Sequence, residues 1–83
     1  MHPVDDRTVF MRIVDRQGFS AAGRELRMTT AVVSSRIAKL EERLGVRLLN
    51  RTTRMAVPTE EGRIYYDHCQ KVMAEVHEFE QHL

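Results

Sequence analysis

Four helices and a short two-stranded β ribbon make the fold class this 83-residue sequence predicts, a mainly α domain. Three observations lead there. Apolar residues recur every three or four positions in four separate segments. One stretch between residues 46 and 58 mixes β-branched and turn residues instead. Two prolines and four glycines are too few for a loop-rich chain, and 42% hydrophobic with 30% charged residues is too apolar for disorder. At this length the chain can bury one core.

The first helix is expected over 4–17, where Val9, Phe10, Ile13 and Val14 share a face and Gly18 ends the run. Ser20 stands where an N-cap belongs, before a short second helix carrying Ala21, Ala22 and Leu26. Gly23 inside that helix costs about 1 kcal/mol relative to alanine, so close packing is expected there. Thr29 or Thr30 caps the third helix, which runs over about 30–44 to a terminal Gly45. Val33, Ile37, Leu40 and Leu44 form its core stripe. Two short strands are expected near 47–49 and 55–57, around a turn at Asn50 to Arg54. Thr59 then caps a last helix over 60–83, about 36 Å long at 1.5 Å per residue. Its Tyr65, Cys69, Val72, Val76, Phe79 and Leu83 step by four and three, an a/d seam. A helix of this length outruns so small a core, so the seam is expected to meet a second copy of the chain.

Charge divides unevenly. Residues 1–59 hold eleven Lys/Arg against six Asp/Glu, leaving +5, whereas residues 60–83 hold two against six, leaving −4. Arg43 through Thr59 contains four arginines and no acid. A concentrated basic strip is what a polyanion partner requires, although a solvated charged face has the same composition. The outward face of the third helix adds a second indication. Ala31, Val32, Ser35, Ala38, Lys39 and Glu42 fall on it, and its N-terminal half lacks the long polar side chains of an ordinary solvated face. Small side chains admit close approach to a large partner.

The second and third helices with their short turn have helix-turn-helix lengths, and the ribbon after them would be a wing. In that arrangement the third helix enters the major groove of double-stranded DNA. Ala31 and Val32 would meet thymine methyls, and Thr30, Ser34 and Ser35 would hydrogen-bond base edges or phosphates. Lys39 lies on the same outward face. Arg51 and Arg54 on the wing, beside the hydroxyls of Thr52 and Thr53, would take phosphates or a narrow minor groove.

From Phe10 to Arg63 the chain resembles the N-terminal DNA-binding domain of the LysR-type transcriptional regulators. The matching stretches are GFSAA (18–22), Leu26, Ser34, LEERLG (40–45), LLNRTTR (48–54) and TEEGR (59–63). With Gly23 and Leu49 the chain departs from alanine and phenylalanine, respectively, common in that family. The resemblance implies a winged helix-turn-helix over 1–59 and a linker helix over 60–83 that pairs antiparallel in a homodimer. It implies DNA contacts at Thr29, Thr30, Ala31, Ser34, Ser35, Arg51 and Arg54. It also implies a small-molecule effector domain, absent from this chain, and a bacterial cytoplasmic regulator that is not an enzyme.

Other chemistries fit less well. His68, Cys69, His77 and His82 are spaced too unevenly to gather on one face as metal ligands, so neither metal nor cofactor is expected. Ser34, Asp67 and His68 lack any accompanying catalytic motif, so no catalytic residue is assigned. A protein-interaction module would explain the seam but leave the arginines idle. The lone cysteine fits a reducing compartment, and no apolar run is long enough to span a membrane. The Asn50-Arg51-Thr52 glycosylation pattern is read as a chance match.

Overall fold

A computed structural model describes residues 4–51 and 55–83. In chain order they form α1 (Asp6–Arg16), α2 (Phe19–Leu26), α3 (Thr30–Leu44), β1 (Leu49–Arg51), β2 (Ala56–Pro58) and α4 (Glu60–Gln81). The caps explain three helix starts. Asp5, Thr29 and Thr59 each hold an extended backbone, and their side-chain oxygens accept from the amides of Thr8, Val32 and Gly62.

The second helix begins differently from the sequence expectation. Gln17, not Gly18, takes the left-handed conformation that ends α1, with φ 61°. Gly18 is extended and caps α2, so the helix opens at Phe19 rather than after Ser20. The Ser20 hydroxyl instead lies 3.3 Å from that of Thr30, joining the starts of α2 and α3. Arg27 ends α2 in the same left-handed region, at φ 59°. An exposed non-glycine residue there is strained, so Arg27→Gly is expected to stabilise the fold by about 0.5–1 kcal/mol. Thermal melting checks this. A lower melting temperature would mean that the Arg27 side chain contributes more than its backbone costs.

Helices α1, α2 and α3 pack against one another in a three-helix cluster. Val9, Phe10 and Ile13 of α1 face Val33, Ile37 and Leu40 of α3, all fully buried. Burying each of these side chains contributes about 1.5–3 kcal/mol. Gly23 makes room for the turn that follows α2: a Cβ built there would lie 2.6 Å from the Met28 carbonyl oxygen, with Val33 of α3 at an ordinary 3.6 Å. Leu44 departs from the expected stripe. It is the last residue of α3, lies beyond the core and is 36% exposed.

The strands pair antiparallel, with Leu49 opposite Pro58, Asn50 opposite Val57 and Arg51 opposite Ala56. They sit one or two residues later than the sequence suggested. The cause is Glu41, whose Oε2 accepts from the amides of Leu48 (2.8 Å) and Leu49 (3.3 Å). Thr59 donates its hydroxyl to the Arg47 carbonyl and its amide to the Leu48 carbonyl. Residues 47 and 48 are thereby pinned to the helices on either side. Ala56 then donates to the Gln17 carbonyl, fixing β2 to the end of α1.

The α4 helix divides in two. Gly62, Tyr65 and Cys69 face the protein's own core, where Tyr65 packs at 5.5 Å from the Phe10 ring. The core therefore continues past residue 59 into this helix. Tyr66 donates to Asp15 at 2.5 Å, which raises its phenol above the ordinary range. Beyond Val72 the helix runs clear and ends at Gln81, two residues short of the expected 83: Val76 and Phe79 are 45% and 65% exposed, and Leu83, past the helix end, is 91% exposed.

Candidate nucleic-acid interface

Thr29, Thr30, Ala31, Val32, Ser35 and Lys39 are all exposed along α3, as the helical turn requires. The caps assign the two threonines different work. Thr29 spends its oxygen on the Val32 amide at 3.1 Å, so its hydroxyl proton is what it can still offer. Thr30 shares a hydrogen bond with Ser20. Arg36, although also on α3, is turned the other way. Its Nε donates to Asp6 at 2.9 Å and another nitrogen donates to the Val4 carbonyl, so this arginine holds the start of the chain.

Ser34 is half-buried, on the side of α3 that faces the wing. Arg51 reaches it from β1, donating through Nη1 at 3.3 Å. The same guanidinium lies over the Phe19 ring, 4.7 Å from its centroid. These contacts enclose a cleft of about 440 Å³ between α2, α3 and the wing, lined also by Ser20, Arg24 and Thr30. Arg51 thus stands in the cleft between wing and helices. Thr52 and Arg54, the other wing residues expected to bind, lie outside the described residues.

Two arginines of α1 hold the scaffold, one of them at the edge of the cleft. Arg16 Nε binds Glu25 at 2.6 Å, and Arg12 binds Asp15 at 2.8 Å and Glu25 at 3.6 Å. The hydrogen bond from Arg16 holds the Glu25 carboxyl below its ordinary value. Charge counting could not separate these paired arginines from those free to meet a partner.

The proposed seam on α4 is split by the fold. Cys69 is fully enclosed and Tyr65 half-buried in the protein's own core, which removes Cys69 from any intermolecular surface. Burial pushes the Cys69 thiol up, away from the reactive thiolate. Val72 is half-buried, and Val76, Phe79 and Leu83 stay exposed. The sequence reading missed the surface that continues them. Leu44, Val46 and Ile64, with His68, line an apolar groove of about 430 Å³ on the same side of α4. Ile64 lies four residues before His68 and eight before Val72, a spacing that could have revealed it.

Among the described residues no cluster of three His, Cys, Asp or Glu is placed to hold a metal ion. No helix among them is long and apolar enough to cross a membrane.

The chain thus combines a helix-turn-helix, a two-stranded wing and an exposed small-residue face on the second of the paired helices. A model of the family described as bacterial regulatory helix-turn-helix protein, lysR family, matches residues 4–63. The chain belongs to the LysR family. It is 40% identical over 79 residues to an HTH-type transcriptional regulator of Xanthomonas campestris, matching 95% of this chain and 23% of that protein. It is 42% identical over 76 residues to the transcriptional activator AaeR of Escherichia coli, matching 92% of this chain and 25% of that one. The chain spans about a quarter of the length of these curated LysR-type relatives. Among solved structures, the BenM_DBD/catB site 1 DNA complex superimposes with a TM-score of 0.86 at 30% identity, over 92% of this chain and 84% of that one. The CbnR_DBD–DNA complex gives 0.88 at 19% identity over 93% and 88%, a likeness of fold alone.

Proposed function

We infer that this chain is the DNA-binding part of a longer transcriptional regulator and binds double-stranded DNA with sequence preference. The observation that carries this reading is the exposed face of α3, bare of long side chains at its N-terminal half and flanked by Arg51. The fold's likeness to DNA-bound relatives supports it. In this reading α3 lies in the major groove, with Thr30, Ala31, Val32 and Ser35 toward base edges and Thr29 and Ser34 toward the backbone. Lys39, Arg51 and Arg54 supply positive charge, and Thr52 a hydroxyl, to phosphate or to the minor groove. Residues 1–59 carry the DNA contacts, and an effector-binding domain lies in the rest of the regulator. Such a protein acts on the chromosome in the cytoplasm and needs no catalytic residue.

The same reading makes the working unit a homodimer through α4. Ile64 and the groove beside it share one side of α4 with Val72, Val76 and Phe79, and Leu83 follows just past the end of the helix. An antiparallel partner helix, crossing near residue 73, would set its Leu83 opposite Ile64 and its Phe79 opposite His68. One continuous apolar strip would be covered at both ends, and the dimer would span two half-sites of an interrupted palindrome.

Titration of the chain into a pool of duplexes across a salt series tests the DNA reading. Affinity should fall steeply with salt as phosphate contacts release counterions. Ser35→Ala should change the preference among duplexes, by about 1–3 kcal/mol at the base pair it faces, while keeping the salt slope. An unchanged preference profile removes Ser35 from base readout, and no binding at low salt removes the DNA reading.

A further inference from the structure

Arg51 is held unusually well for an exposed arginine. A long side chain on a short strand ordinarily samples many rotamers. Here its guanidinium lies over the Phe19 ring at 4.7 Å, and Nη1 donates to Ser34 Oγ at 3.3 Å. Phe19 opens α2 and Ser34 belongs to α3, so two helices fix one wing side chain. A guanidinium stacked on an aromatic face keeps its in-plane N–H donors free at the edge. One donor is taken by Ser34, and the cleft between the three elements lies beside the rest. The residues lining that cleft include Arg16, Arg24 and Arg51 and no carboxylate. Arg16 is engaged by Glu25, which leaves Arg24 and Arg51 to set the potential.

We propose that Phe19 is a positioning residue that holds Arg51 against Ser34, so that the guanidinium edge takes one phosphodiester of the DNA backbone in this cleft. The ligand class follows from the donors: a planar fork of N–H groups, a second arginine and the hydroxyls of Ser20 and Thr30 match a phosphate oxygen pair. Holding the side chain before DNA arrives removes the ordering cost that a free arginine meets on binding. The inference rests on the DNA-binding reading above, and it can fail while that reading stands.

A double-mutant cycle on DNA affinity tests it, with the intact 83-residue chain. Arg51→Gln should weaken binding about tenfold for every duplex and flatten the plot of log affinity against log salt by about 0.9, the share of one phosphate. Phe19→Leu should cost about fivefold in the wild-type background and nothing further beside Arg51→Gln. Phe19→Tyr, which keeps the ring, should retain wild-type affinity. An equal loss from Phe19→Leu in both backgrounds would assign Phe19 to packing alone and overturn the proposal, as would Phe19→Tyr behaving like Phe19→Leu. A changed duplex preference in Arg51→Gln would place that arginine on a base and overturn the phosphate assignment. A readout without DNA separates the two readings. The Arg51 side-chain protons should show an aromatic ring-current shift in the NMR spectrum of the free protein, present in Phe19→Tyr and lost in Phe19→Leu. If the shift is found but no duplex binds, the DNA reading has failed and the phosphate assignment falls with it; if duplexes bind and the shift is absent, only the proposal is lost.

Discussion

Gly62→Ala is expected to lower the melting temperature by roughly 12–24 °C. A Cβ at this position would stand 2.0 Å from the Leu48 carbonyl oxygen and 3.0 Å from its carbon. Both obstacles are backbone, and the same carbonyl accepts from the Thr59 amide that leads into α4. The methyl can be accommodated only by moving the wing away from α4, which breaks that hydrogen bond and opens the contact around Leu48. Overpacking of this kind costs about 3 kcal/mol at the upper end of its usual range, and each kcal/mol shifts a domain of this size by about 4–8 °C. Gly45→Ala is the control. It meets nothing within 4 Å but must hold φ at 73°, so a loss of only about 1–2 kcal/mol is expected. Melting followed by circular dichroism decides between them. If Gly62→Ala melts above Gly45→Ala, the segment at Leu48 yields more readily than its hydrogen bonds indicate.

Phe79→Asp is expected to separate the homodimer proposed above while leaving each chain folded. Phe79 is 65% exposed in the single chain and lies beyond the last core contact of α4, so the substitution removes no intramolecular packing. In the antiparallel pairing proposed above, the same residue meets the partner helix twice by symmetry, and two carboxylates would be buried in an apolar strip, each with a single histidine opposite. Sedimentation at micromolar protein should then report monomers. Affinity for a duplex with two half-sites should fall by about 10²–10⁴, the avidity lost when two linked contacts become independent. Affinity for a single half-site should stay unchanged. A dimer surviving this substitution would show that the exposed half of α4 is not the interface.

Helix spacing made most of the fold readable. The α3 helix follows the sequence from its threonine cap to Gly45, because the cap, the stripe from Val33 to Leu40 and the stop agree there. Departures arise where partners distant in sequence decide the local structure. The ribbon shifts because Glu41 and Thr59 claim the backbone of residues 47 and 48 before a strand can. Ser20 yields its capping place because Gln17 absorbs the left-handed turn, and no glycine rule signals that. Leu44 and Cys69 exchange expected environments. Periodicity places both on apolar faces, but only the path of α4 across α1 determines which one the core covers. The interface shows the same division. Small outward residues of α3 could be read from helical geometry, whereas the Phe19 and Ser34 contacts of Arg51 depend on a fold that brings three elements together.

Glu41 has a mechanical consequence. One carboxylate on the third helix grips two successive amides at the base of the ribbon, so the two prongs that would meet a duplex behave as a single stiff tool. Such a tool does not adjust its own span. Any misfit between prong separation and groove spacing must be absorbed by the nucleic acid, which makes flexible pyrimidine–purine steps between the contacted positions favoured even where no side chain touches them.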